Sequence, residues 1–157
     1  MTYYTGSQAA AGQGGVLISI RTRFVRAILD GSKTFELRRK VPRHAAGLDI
    51  IVYSSGGDKA IVARAKVSEV ATGTPEAIWN QFEIHLGVTR KEFDDYFLGA
   101  EVAHALKLEN VTASQRPVPL TELRTDHGLE PPQSWRYLQA DSYARLLATV
   151  NEDHSSH

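Results

Sequence analysis

No cysteine occurs anywhere in the 157 residues, so disulfides and thiolate-based metal or redox chemistry are excluded. An excess of either charge is missing too. Eighteen basic residues balance 18 acidic ones, a formal net charge of +0, so total charge does not advertise a nucleic-acid binder. No apolar run is long enough to span a bilayer, and the first residues lack the basic start and apolar core of a signal peptide. The expected location is the cytoplasm, with no membrane partner. The six histidines (His44, His85, His104, His127, His154 and His157) are scattered without ligand spacing, so neither a metal site nor a cofactor is expected. A Gly-rich phosphate loop, a Rossmann fingerprint and a Gly-x-Ser-x-Gly elbow are all lacking.

What is present reads as one globular unit. Hydrophobic residues make up 42% and charged residues 23%, ordinary values for a chain with a single core. The charges are segregated along the sequence. Arg21, Arg23, Arg26, Lys33, Arg38, Arg39, Lys40 and Arg43 cluster in one stretch with only Asp30 and Glu36 among them. Residues 76 to 109 reverse the balance in favour of acids. Such a pattern can steer an anionic ligand to one region of a neutral molecule, although a solvated basic face explains it equally well.

The gly-, ala- and gln-rich residues 1–15 predict a flexible leader, and residues 151–157 a disordered tail, around a single domain over 16–150. Alternation predicts a strand over Val16–Arg21; Thr22 is placed to cap a helix carrying Phe24, Val25, Ile28 and Leu29, which Gly31 ends. Lys33–Lys40 alternates as a strand with Phe35 and Leu37 on one side and Glu36 and Arg38 on the other. Strands are also predicted over Leu48–Ser55, Lys59–Val70 and Val102–Leu108. Thr74-Pro75 opens a helix, and Thr89-Arg90-Lys91-Glu92 fits a capping box, which makes Glu92 a capping residue before anything else. A short helix around Glu122–Arg124, a segment Gln133–Leu138 after the Pro131-Pro132 break, and a terminal helix with Tyr143, Leu146 and Leu147 complete the chain. Strands interrupted by a few helices indicate an α+β domain with a curled, mostly antiparallel sheet.

Three stretches in this order resemble the ASCH family. The first runs from Leu17-Ile18-Ser19-Ile20-Arg21 through the helix to Gly31-Ser32-Lys33-Thr34-Phe35-Glu36-Leu37-Arg38, similar to the family's Gly-x-Lys-x-x-Glu-x-Arg signature. The second is Asp49–Ser55 with Ala60–Ala63. The third comprises the Thr-Pro-Glu-x-x-Trp helix, the Thr-Arg-Lys-Glu-Phe helix and Pro131–Leu138. The resemblance implies a PUA-like β-barrel with helices packed around it, and a cleft beside the signature that binds RNA or a nucleotide-like ligand. It also implies a regulatory role in RNA metabolism, translation or transcription. Some relatives hydrolyse acetylated cytidine or act as ribonucleases. In the small amidohydrolases the position matching Glu36 is a threonine, beside a lysine matching Lys33; here it is Glu.

The residues themselves admit two uses. As a binding module, Lys33, Glu36 and Arg38 grip one nucleotide with help from Ser19, Gln133 and Ser134, while Arg21, Arg26 and Arg39 meet phosphates. Tyr53, Ser54 and Arg136 are further candidates at strand ends. As an enzyme, either a hydrolase of acylated nucleosides or a metal-independent ribonuclease, Lys33 is base or electrostatic stabiliser and Glu36 orients it. A plain Lys33–Glu36–Arg38 ion network bracing the strand accounts for the same three residues. Trp135 and Tyr137 have the chemistry to stack on a base, with packing against the sheet as their ordinary use.

Overall fold

A computed structural model describes residues 2–5 and 13–151, with side chains from residue 14 onward. In chain order the elements are β1 (Thr2–Thr5), β2 (Gln13–Arg21), α1 (Thr22–Asp30), β3 (Phe35–Arg38), β4 (Asp49–Ser55) and β5 (Ala60–Gly73). Next come α2 (Pro75–Phe82), a 3-10 turn (Glu83–His85), α3 (Arg90–Tyr96), β6 (Ala103–Pro119), α4 (Leu120–His127), β7 (Trp135–Gln139) and α5 (Ala140–Val150). No helix among the described residues is long and apolar enough to cross a membrane.

The strands form one mixed sheet in the order β3-β6-β5-β4-β2-β7, with β1 on the other edge of β5. Only β2 and β4 run parallel, because α1 and β3 intervene between them; the other pairs are antiparallel. The architecture is α+β with a mostly antiparallel sheet, as the sequence predicts, but the β-barrel that the resemblance implies is not closed. Its ladder is open: β3 and β7 are the two ends and are not paired with each other.

Apolar residues explain the layering. Along β2, Val16, Ile18 and Ile20 enter one core with Val25, Ile50, Val52 and Val67, while Leu17 enters a second with Ile51, Ile61, Leu123 and Leu146. Because β4 is covered on both faces, its sequence is a continuous apolar run instead of an alternating one. A third core joins Phe35 and Leu37 of β3 to Ile78, Phe82, Leu86, Phe93 and Phe97 from α2, the 3-10 turn and α3. It fixes these short helices against the end of the sheet that carries the signature.

Several expectations are corrected. Thr2–Thr5 and Gln13–Gly15 are strand, not leader; Met1, residues 6–12 and residues 152–157 lie outside the described set. β6 is far longer than Val102–Leu108, because irregularities in its pairing with β5 let the two strands twist without separating. Helix α4 spans Leu120–His127, longer than Glu122–Arg124, and ends at Gly128 in the left-handed region (φ 62°). Thr22 does not cap α1. Its hydroxyl shares a 2.7 Å hydrogen bond with Ser54 Oγ and accepts from the Asp58 amide at 2.9 Å, so it ties the helix start to the β4–β5 turn.

Replacing Thr22 with Val keeps the shape and removes this hub, leaving the Ser54 hydroxyl and the Asp58 amide short of a partner. A loss of about 1–2 kcal/mol is expected in urea unfolding; an unchanged midpoint would mean that Thr22 is only a spacer.

Candidate functional site

The site begins at the turn after α1. Gly31 takes φ 88°, the Ser32 amide donates to Asp30 Oδ1 at 2.8 Å, and the Lys33 amide returns to Ala27 O at 3.0 Å. This reversal turns Lys33 inward, where only 2% of its side chain remains exposed. Its ammonium donates to Leu86 O at 2.6 Å and lies 5.4 Å from the Phe24 ring centre. The alkyl stem crosses Gly87. A Cβ there would sit 2.6 Å from Lys33 Cβ, and Gly87 has φ 65°, so glycine is required on both counts. Burial pushes the Lys33 pKa down, Glu36 pulls it partly back up, and Arg38 adds to the depression.

Alternation along β3 sends Glu36 and Arg38 to the same side as each other. Glu36 Oε1 is 3.8 Å from Lys33 Nζ, and Oε2 accepts from Arg38 Nε at 2.9 Å. The guanidinium continues to Ser19 O at 2.8 Å and Ser134 Oγ at 3.0 Å. Ser19 Oγ in turn donates to Pro132 O at 2.6 Å, and the Ser19 amide to Ser134 O at 2.9 Å. One continuous polar network therefore runs from the Leu86 loop to β2 and the segment before β7. It holds one carboxylate between two cations, so with Lys33 protonated its sum is positive.

Above this network lies a cavity of about 640 Å³, within the size range of small-molecule and cofactor sites. Ser19, Gln133 and Ser134 form one wall; Arg21, Arg23 and Phe24 form another; Glu92, Asp95 and Tyr96 of α3 close the third. Of the residues singled out from the sequence, Ser19, Arg21, Lys33, Glu36, Arg38, Gln133 and Ser134 meet here.

The others do not. Arg26 is exposed and 3.9 Å from Asp58. Arg39 lies just outside, donating to Tyr96 O and Leu98 O at 3.0 and 3.1 Å. Tyr53 is buried in the second core, and Ser54 is fully enclosed by Thr22 and Asp58, since β4 sends its side chains into both cores and only Ser55 at its end reaches the cavity. Arg136 is exposed on β7 outside the cavity. Trp135 and Tyr137 pack on the sheet and donate to Lys40 O and Arg43 O.

Charge segregation along the chain survives folding only in part. Glu92 keeps its capping role, with Oε1 accepting from the Thr89 amide at 2.9 Å, while its other oxygen pairs with Arg23 across the cavity mouth. These bonds, that from Arg23 foremost, pull the Glu92 pKa down to about 2. The cavity is therefore mixed in charge and not uniformly basic. Phe24, Arg23, Asp95, Tyr96 and Gly87 were not singled out from the sequence as site residues. Only the dual reach of Glu92 had a local signal, its place at the third helical position.

Residues 13–128 match the family described as "Domain of unknown function (DUF365)". The ASCH domain-containing ribonuclease of Zymomonas mobilis is 27% identical over 137 residues, spanning 87% of this chain and 92% of that protein. The crystal structure of ASCH from Zymomonas mobilis is similar with a TM-score of 0.79 at 27% identity, covering 85% of this chain and 94% of that chain. The N-terminal domain of Staphylothermus marinus McrB, at 11% identity and TM-score 0.55, shares the fold alone over 91% of this chain and 99% of that chain. Fold and signature together are those of an ASCH domain on a PUA-like α+β scaffold. The chain belongs to the DUF365 family.

Two outcomes follow from the buried network. Arg38→Ala leaves the buried Glu36 only Lys33, at 3.8 Å, and takes the donor from Ser19 O and Ser134 Oγ, so it should cost about 3–5 kcal/mol in urea unfolding; a loss under about 1 kcal/mol would mean that water replaces the guanidinium. Lys33 titrates lower in the folded chain than near 10.4, the approximate value of a free lysine. The unfolded state then holds more protons between the two pKa values, so stability rises with pH through that interval. Tyr53, Tyr96 and Tyr143, with pKa values raised by burial, oppose this only above about pH 10. Urea midpoints should climb as pH approaches that limit from below, and Lys33→Met should flatten the climb. Parallel profiles in the two proteins would contradict it.

Proposed function

We propose that the chain binds RNA, with one nucleotide seated in the cavity above Lys33, Glu36 and Arg38. The observation that carries this reading is the floor itself: a buried, net-positive cation–carboxylate–cation network opening into a space large enough for a nucleotide. Arg21 is exposed at the mouth and lacks a carboxylate partner among the described residues, so it is available to a phosphate. Tyr96 is exposed and offers ring surface to a base, whereas the Phe24 ring already faces the Arg23 guanidinium at 4.3 Å. Gln133 offers an amide, and Ser134 still has its hydroxyl proton after accepting from Arg38. The ribonuclease name of the Zymomonas mobilis relative supports RNA over other anions.

A second reading, that the chain cleaves RNA, is favoured by that name and by the depressed pKa of Lys33. A neutral Lys33 amine would take the proton of a ribose 2′-hydroxyl. The 2′-oxygen would then form a bond to the adjacent phosphorus as the bond to the 5′-oxygen breaks. That oxygen takes a proton from solvent water as it leaves, giving a 2′,3′-cyclic phosphate and a 5′-hydroxyl end, and the Lys33 ammonium returns its proton to the hydroxide so formed. Glu36 would orient Lys33, and Arg21 would offset charge on the phosphate.

Fluorescence anisotropy with labelled single-stranded RNA, read alongside denaturing gels of the same mixtures, tests both. Binding that weakens steeply with salt and falls at least about ten-fold in Arg21→Gln at low salt is expected. Salt-independent binding, or none, would overturn the proposal. Cleavage by the parent protein that is abolished in Lys33→Ala identifies the enzyme, whereas binding with intact RNA identifies the module.

A further inference from the structure

The loop between β3 and β4 carries a basic surface that the cavity does not use. From Arg38 to Leu48 the sequence contains no acid, and Arg39, Lys40, Arg43 and His44 are all exposed. Among the described residues, none of Arg39, Lys40 and Arg43 pairs with a carboxylate, whereas Arg23, Arg26, Lys33 and Arg38 from the same basic stretch all do. The acids of α3 are occupied elsewhere: Asp94 with Arg90, Asp95 with Lys91, Glu92 with Arg23. Folding thus neutralises half of the basic stretch and leaves this loop, together with Arg21, as its uncompensated remainder.

The loop is also built into the fold. Pro42, Ala45, Ala46 and Leu48 are buried, the Gly47 amide donates to Val67 O at 2.7 Å, and the Val67 amide donates to Leu48 O at 2.9 Å. Trp135 Nε1 donates to Lys40 O at 3.3 Å and Tyr137 Oη to Arg43 O at 3.0 Å. These bonds use the loop's backbone and leave the heads of Lys40 and Arg43 free, while Arg39 is held on Tyr96 O and Leu98 O. The loop is continuous with the cavity at both contacts: Arg38 and Tyr96 line the cavity, and Arg39 follows the one and bonds the carbonyl of the other. Ser134, another lining residue, immediately precedes Trp135.

We infer that the ligand is a polynucleotide, and that its phosphates on leaving the cavity lie along Arg39, Lys40 and Arg43. This rests on the RNA-binding reading above and specifies a strand of several nucleotides in place of a single one. Exposed cations without counter-charge on an anchored backbone match a chain of successive phosphates. A free mononucleotide has no phosphate left to reach it once the cavity is filled.

The double variant Lys40→Gln/Arg43→Gln removes two charges without touching the backbone acceptors. Arg145→Gln, on α5 over the opposite core, removes an exposed cation elsewhere. Each is titrated with a single-stranded RNA of about twelve nucleotides by anisotropy and with uridine 5′-monophosphate by calorimetry. The double variant should lose roughly ten- to thirty-fold in oligonucleotide affinity at about 0.1 M salt, and its salt slope should fall by about 1.4, the contribution of two phosphate contacts. Mononucleotide affinity should stay the same, and Arg145→Gln should match the parent throughout. Unchanged oligonucleotide binding in the double variant, or an equal loss in Arg145→Gln, overturns the track and leaves the cavity reading intact. A parent protein that binds neither probe overturns both.

Discussion

The guanidinium of Arg38 spans a gap that the backbone leaves open. The sheet curls until β3 faces β2 and the segment before β7, yet no ladder forms between them. One side chain crosses this seam, reaching Glu36 on its own strand, Ser19 O on β2 and Ser134 Oγ beyond. A fully paired barrel would fill the seam with hydrogen-bonded strand; bridging it with a charged side chain leaves room for a cavity. The arrangement depends on complete pairing, because a buried guanidinium or carboxylate left alone costs far more than the pair contributes. Lys33 is drawn into the same network, and the third core, through Leu86 and Gly87, provides its carbonyl and its space.

How the charges are distributed decides what this cavity can accept. Arg23 and Glu92 face each other at the mouth, so the opening is not a simple attractor for anions. The positive character sits deeper, at the floor, and further out, on Arg21 and the β3–β4 loop. On the proposed reading, an anion would meet Lys33 and Arg38 at the floor and Arg21 and the β3–β4 loop outside it. Neutrality of the whole molecule is compatible with this because the acids of α2 and α3 are spent on nearby bases.

Much of the fold was legible from the sequence, and for identifiable reasons. Alternation in Lys33–Lys40 separated Phe35 and Leu37 from Glu36 and Arg38, and the Thr89–Glu92 spacing gave the capping box that is present. The family signature accounted for Lys33, Glu36 and Arg38, whereas Ser19 followed from alternation along its strand and Gln133 and Ser134 from the fixed backbone after Pro131-Pro132. Long-range partners were not legible. Tyr53 and Ser54 read as strand-end polar residues, but β4 is buried on both faces, which draws them into cores. Arg23 and Tyr96 reach the cavity only because the third core docks α3 beside α1, a contact between residues distant in sequence. The strand expected over Val102–Leu108 stopped short of the full β6 because polar residues follow Leu108 and Asn110 takes a left-handed φ of 54°.

Nuclear magnetic resonance of Lys33 Nζ, followed across pH in the free protein and again with RNA added, addresses the floor of the cavity directly. The account predicts a pKa below that of an ordinary lysine in the free protein. It also predicts a rise when RNA binds, since an arriving phosphate favours the charged form. An ordinary value that does not respond to RNA would contradict it.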